Sequence, residues 1–489
     1  MKLKKDMIKK WYFIGCWIGF QAAYAQSGTS TSEPTRYSLQ ACLDYAIQQN
    51  LTLRSSALAV ENSRNTANQS QWLKYPSVNG GFNLNSFTGR NIDPFSNSIV
   101  TTAIGTNNMG INASMPLFQG GEIKNTIQRN QLQVEVEQLN YEAQKNSISL
   151  QVIVAYLNIL SAEDQIEVAK KQVEVTRLQY DRTKKLVDAG SVPPTNLFDL
   201  DAQVANDELN LVNAINALGN AKLTLKQALN ITDSREIGIE RVEVPNPSIQ
   251  AYPESAQEIY EKAIGYLPEI KAAEKQLAVA DRQLAIAQAG KLPRISFNTG
   301  WGTTYSTAAK RTIFGPESFQ QLPVSATFDG QTIPFVLNLP QQNIIRENIA
   351  YFNQLGNNQN VNLGVGMQIP IFNGYAVKFR TQGAKIQKAQ AQIQSESAQL
   401  TIRQNIDQAY LTMVNAARRY QATLSQVEAL EKSFQAASSR LDAGASNLVD
   451  FNLAKTNLDR AMLNLIQAKY DFVFRLKILD FYQNKPLSF

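Results

Sequence analysis

The chain alternates between two hydrophobic periods, and the change from one to the other happens in the same order twice. From Tyr37 to about Leu73, and again from Glu254 to about Ala289, apolar residues recur at helical spacing among Ala, Gln, Leu and Glu. Strict alternation follows. Val78, Phe82 and Leu84 oppose Asn79, Asn83 and Asn85, and Met109, Ile111, Ala113 and Met115 oppose Gly110, Asn112 and Ser114. Further on, Ile295, Phe297, Trp301 and Tyr305 oppose Ser296, Asn298, Gly300 and Gly302, while Val361, Leu363, Val365, Met367 and Ile369 oppose Asn362, Gly364, Gly366 and Gln368. The spacing predicts strands over about 77–87, 108–117, 294–305 and 360–370. Each has one apolar face and one face of Asn, Ser and Gly, the pattern of a membrane β-barrel, although a soluble sandwich strand can alternate in the same way.

Long helical patterns follow each strand pair. Neither proline nor glycine interrupts Glu122 to Val187, which at 1.5 Å per residue is about 100 Å of helix. In the return segment Leu197, Val204, Leu211, Leu218 and Leu225 lie seven apart, as do Phe451, Leu458, Leu465, Phe472 and Leu479. A strict seven-residue period keeps one apolar stripe against a neighbouring helix. The predicted long helices are 122–188, 195–229, 375–442 and 447–483.

The duplication is visible in the letters. Met115-Pro116-Leu117-Phe118-Gln119-Gly120 recurs 254 residues later as Ile369-Pro370-Ile371-Phe372-Asn373-Gly374, and the same shift carries Ala155-Tyr156-Leu157 onto Ala409-Tyr410-Leu411 and Asp188-Ala189-Gly190 onto Asp442-Ala443-Gly444. Upstream the shift is 217, as from Tyr75-Pro76 to Leu292-Pro293, so the second copy holds 37 extra residues between Pro293 and Pro370. The expected organisation is a first repeat at 26–244, a connector at 245–253 and a second repeat at 254–489. The fold class expected is mainly α with a membrane β part. Four strands cannot close a barrel, so the chain must oligomerise.

Composition narrows the chemistry. Lys2, Lys4, Lys5, Lys9 and Lys10, then the apolar Trp11–Phe20 and Ala23-Tyr24-Ala25, read as a signal peptide over 1–25. The rival reading, lipidation at Cys16, leaves too short an apolar segment before the cysteine. Removing five Lys and Asp6 from 47 basic and 41 acidic residues leaves 42 against 40, a net of about +2, and no concentrated basic patch for nucleic acid. With His 0 and no metal-ligand spacing or phosphate loop, the sequence predicts neither enzyme nor metal nor cofactor site. No apolar run after the signal is long enough for a transmembrane helix.

These residues resemble the TolC-like outer-membrane efflux family. The resemblance is carried by Ala46-Ile47-Gln48-Gln49-Asn50-Leu51, the strand exit at Pro116–Gly121, the Ala-Tyr-Leu pair and the Ala-Gly tips, in order and in duplicate. It implies a homotrimer whose 12-stranded barrel in outer-membrane lipid continues as a 12-helix periplasmic tube. It also implies a periplasmic adaptor (membrane fusion) protein and an inner-membrane pump of RND or ABC type as partners. The function implied is passive exit of small molecules. A duct for type I polypeptide secretion is the alternative within the family, and a periplasmic adaptor or structural coiled-coil protein the alternative outside it. The family geometry would place the loops 88–107 and 306–359 outside, Gly190, Ser191, Gly444 and Ala445 at helix tips that dock the adaptor, and Thr195, Asn196 and Asp450 at the entrance gate. Asn196 departs from the family's usual Asp. Val78, Phe82, Ile111, Phe297, Trp301 and Val365 are expected to face lipid.

Overall fold

A computed structural model describes residues 35–92, 97–101, 103–232, 236–242, 244 and 252–485. The signal segment with Cys16, and most of the connector, lie outside these. The first half runs β1 (Thr35–Tyr37), α1 (Leu39–Gln49), α2 (Leu51–Gln71), β2 (Ser77–Phe87), the short β3 (Asn91–Ile92) and β4 (Ile99–Val100), β5 (Ile104–Gln119), α3 (Glu122–Asp188), α4 (Thr195–Ala228) and β6 (Ile237–Ile239). The second runs α5 (Ala256–Ile264), α6 (Pro268–Ala289), β7 (Arg294–Ser306), β8 (Lys310–Phe328), β9 (Gln331–Asn348), α7 (Tyr351–Asn357), β10 (Asn360–Gln368), α8 (Ala376–Asp442) and α9 (Leu448–Phe481).

Strand and helix order correspond. The main sheet is antiparallel in the order β2-β5-β7-β10, with β5 and β7 joining the two halves of the chain. Helices α2, α3, α6 and α8 pack side by side in the same order, because each continues from or into one of those strands. Helices α3 and α8, 67 residues each, run on for about 100 Å and take α4 and α9 as partners at their far ends.

The buried face of α8 shows why so long a helix holds. Ile402, Ala409, Ala416 and Thr423 are seven apart, and so are Ile406, Met413, Tyr420 and Val427. This is the a/d pattern of a left-handed coiled coil.

Midway along the long helices a thicker core forms where α1 and α5 lie against α3 and α8 and β1 pairs with β6. Asn50 separates α1 from α2, its Oδ1 accepting from the N–H groups of Thr52 and Leu53. The Ser255–Glu258 capping box starts α5. Tyr156, fully buried, donates its hydroxyl to the Glu240 carbonyl. Cys42 is fully buried in the same core, and burial pushes its thiol up to about 12. Native protein is therefore expected to resist iodoacetamide at pH 8 and to label on denaturation; rapid native labelling in a mass spectrum would contradict this packing.

One expectation needs correction. Residues 306–359, expected simply as a loop, are largely regular. They hold the hairpin β8–β9 and the short helix α7. The stretch between β2 and β5 is 16 residues long (88–103) and that between β7 and β10 is 53 (307–359), so the 37 extra residues of the second copy correspond to this hairpin. Its turn is Asp329-Gly330, with φ of 45° and 81°, the two-residue connection whose left-handed pair suits the strand twist. Strand β5 is also longer than expected and begins at Ile104, which shortens the first loop.

Candidate site: an open-edged sheet and two helix tips

Register across the sheet places the alternating residues on common faces. Val78 pairs with Ala113, Phe82 with Met109, Ile111 with Trp301, and both Met115 and Val365 with Phe297. The six residues expected to face lipid thus share one face. Val78, Phe82, Ile111, Trp301 and Val365 are exposed on it, with Phe297 half-buried. On the other face Asn79, Asn112, Gly300 and Asn362 form one row. A Cβ at Gly300 would press against Asn112 Oδ1 and lie 2.6 Å from Asn362 Oδ1, so only glycine lets the two amides close over this strand.

Among the described residues neither outer edge of the sheet is paired: β2 forms one edge and β10 the other. The helices behind those edges are also uncovered. On α8, behind β10, Phe379, Ile386, Ile393 and Leu400 lie seven apart and are 52–69% exposed; on α2, behind β2, Leu51 and Leu58 are 65% exposed. Periodic apolar residues on a solvent-facing helix side mark a surface made for another helix.

At the other end of the long helices, Gly190 (φ 73°) and Gly444 (φ 69°) take the left-handed conformation that ends a helix. The Ser191 N–H donates to the Leu186 carbonyl and the Ala445 N–H to that of Arg440, closing the same turn at both tips. Asp450 is exposed in the first turn of α9. Asn447 Oδ1 accepts from its N–H (2.9 Å) and Ser446 Oγ donates to its carboxylate (2.9 Å). Among the described residues no hydrogen bond or ion pair joins Asp450 to Thr195 or Asn196 within one chain.

Two tip-to-tip links were missed by sequence reasoning. Arg182 pairs with Asp442, which ties α3 to the end of α8. Both side chains are about half exposed, so the pair contributes at most about 1 kcal/mol.

The second link is buried. Lys455 of α9 is 2% exposed and donates to Asp207 of α4 (2.9 Å) and to Asp459 one turn on (2.6 Å). Asp207 also accepts from Thr176 of α3 and from Gln203 Nε2 (3.0 Å). Burial pushes the Asp459 carboxyl above its ordinary value, with Lys455 opposing that shift. Three helices from both halves of the chain thus meet in one buried cluster, α4 and α9 through the ammonium and α3 through the Thr176 hydroxyl on Asp207.

Solved structures with this architecture are outer-membrane channels. The Campylobacter jejuni channel CmeC matches with a TM-score of 0.71 at 16% identity, covering 92% of this chain and 87% of that one. The Neisseria gonorrhoeae channel MtrE, solved in its open state, matches with a TM-score of 0.67 at 17% identity, covering 91% of this chain and 88% of that one. The fold is therefore one shared with these channels: a four-stranded antiparallel sheet continued by long packed helices.

The sequence goes further. A family model described as "Outer membrane efflux protein" matches residues 42–230 and 259–479, and the chain belongs to that family. The Brucella suis outer membrane efflux protein BepC is 22% identical over 464 residues, 94% of this chain and 89% of its own length. Escherichia coli TolC is 23% identical over 348 residues, 69% of this chain and 61% of its own. The protein is an outer-membrane protein of the efflux-channel family, and its relatives are channels rather than enzymes.

Proposed function

We propose that three copies close the sheet into a 12-stranded barrel, with the helices behind it forming a 12-helix tube in the periplasm. The assembly is then the passive exit duct of a tripartite efflux system for small molecules. One observation carries this reading: the open strand edges and the uncovered helix faces occur on the same two sides, β2 with α2 and β10 with α8. An open edge in lipid leaves backbone groups unsatisfied, and β10 of one copy beside β2 of the next satisfies both at once. The apolar face with Val78, Phe82, Ile111, Phe297, Trp301 and Val365 then meets lipid, and the Asn–Gly face lines water.

In this arrangement the tips carrying Gly190, Ser191, Gly444 and Ala445 form the periplasmic entrance and dock the adaptor, and an inner-membrane pump of RND or ABC type supplies the energy. Thr195, Asn196 and Asp450 lie at that mouth. A threefold ring of Asp450 carboxylates favours cations at a narrow opening. Purified protein in a planar bilayer is expected to conduct, with Asp450→Ala lowering cation preference and changing conductance at least twofold. Identical traces for the variant and the unsubstituted protein would remove Asp450 from the gate, and no conductance from either would remove the channel reading itself.

A further inference from the structure

The hairpin β8–β9 stands at the end of the sheet opposite the long helices, and most of its side chains are exposed. Its root is pinned. Gln354, 2% exposed, donates from Nε2 to the carbonyls of Ser306 (3.1 Å) and Ile349 (3.0 Å) and accepts from the Ser306 N–H. Asn358 Nδ2 donates to the Thr304 carbonyl (2.7 Å), and Ala309 is buried. This is a directed projection. At about 3.3 Å per residue the 18 residues of β9 span about 60 Å.

The two faces of the hairpin differ in their density of large aliphatic side chains. Pairing of Leu322 with Leu337 and Val324 with Phe335, with Ile333 and Leu339 next in line, makes one face apolar, and these six residues are 38–57% exposed. The other face is mixed: it pairs Thr327 with Thr332 and Gln321 with Asn338, and also Pro323 with Val336, Ser325 with Pro334 and Phe319 with Pro340. Between Glu317 and Arg346 the one charged residue is Asp329 at the turn. Two strands alone are marginal in water, and an apolar face of this size needs cover.

The edges limit what can provide it. In a two-residue hairpin the pair closing the turn, Phe328 with Gln331, exchanges both hydrogen bonds, and bonded and non-bonded pairs then alternate. Pro323, Pro334 and Pro340 all fall in non-bonded pairs, where an N–H would point outward. Both outer edges therefore lack donors at these points, which disfavours the addition of another strand. The partner has to meet the face.

The nearest identical faces are those of neighbouring copies. Twelve strands about 4.8 Å apart and tilted by about 40° give a barrel roughly 24 Å across. A hairpin of about 60 Å rooted on that rim outreaches the bore. We infer that the β8–β9 hairpins of neighbouring copies pack their apolar faces together over the outer mouth and constrict it. The inference rests on the oligomeric barrel proposed above.

Leu337 and Asn338 are sequence neighbours on opposite faces, so Leu337→Cys and Asn338→Cys test the packing in the full chain assembled in outer-membrane vesicles. After mild oxidation, Leu337→Cys is expected to give at least five-fold more disulfide-linked chain dimer than Asn338→Cys, and before oxidation to react at least five-fold more slowly with an impermeant maleimide. Equal cross-linking, equal labelling, or capture of a species other than a second copy would each overturn the proposal. Native mass of the same samples reports the oligomer separately. A trimer without the face-specific cross-link defeats the hairpin contact alone, whereas absence of the trimer defeats the barrel reading.

Discussion

Lys455→Met is expected to cost the folded chain about 3–5 kcal/mol, because it leaves Asp207 and Asp459 buried or nearly so without their shared cation. The deficit should appear as a lower midpoint of helix loss, followed by circular dichroism during detergent-solubilised unfolding. Its pH dependence has a definite sign. Burial already raises the Asp459 carboxyl, and removing the ammonium raises it further. A carboxyl raised on folding contributes its stability below the ordinary carboxylate range and loses it as pH rises through the folded value, so the deficit should be smallest in acid and largest at neutral pH. Replacing all three residues with methionine is expected to recover most of the loss, since apolar groups of similar size can substitute for a buried ionic cluster. If Lys455→Met melts with the unsubstituted protein at neutral pH, the cluster does not hold α3, α4 and α9 together.

The second large effect concerns assembly. Ile386→Asp with Ile393→Asp puts two carboxylates into the exposed seven-residue stripe of α8, the stripe proposed to meet α2 of the next copy. Enclosing unpaired charges in an apolar seam costs several kcal/mol, which at about 1.4 kcal/mol per factor of ten weakens each contact by more than a hundredfold. The variant is expected to remain helical but to run as a single chain in detergent by light scattering, with conductance lost. A variant that still assembles and conducts would show that α8 faces solvent or another partner.

Much of the architecture was legible because its signals are local and repeated. Alternation at Val361, Leu363, Val365 and Met367 fixed a strand, and the Gly190 and Gly444 turns fixed where the long helices stop. The β8–β9 hairpin was missed although Asp329-Gly330 marks it, because Pro316, Pro323, Pro334 and Pro340 argue against strand when read one residue at a time. They are compatible with strand here because, among the described residues, no third strand pairs with the hairpin and demands an outward N–H. The α8 stripe was equally open to a seven-residue count and went unread beside the stripe of the return helix. The Lys455 cluster is different in kind. Asp207 and Lys455 are 248 residues apart, and nothing in either neighbourhood singles them out from solvated charges; only the packing of α4 and α9 on α3 makes them a pair.

Strands β2, β5, β7 and β10 together hold one ionisable residue of formal charge, Arg294, at the helix end of the sheet and held there by Glu122 at 2.7 Å. A conduit walled by such a sheet exerts almost no field on what passes. Anions and cations would experience the same weak polarity of amides and hydroxyls, and this segment would sort cargo by girth alone. Any preference for the sign of a solute must then be imposed elsewhere along the path, before it reaches the amide-lined stretch.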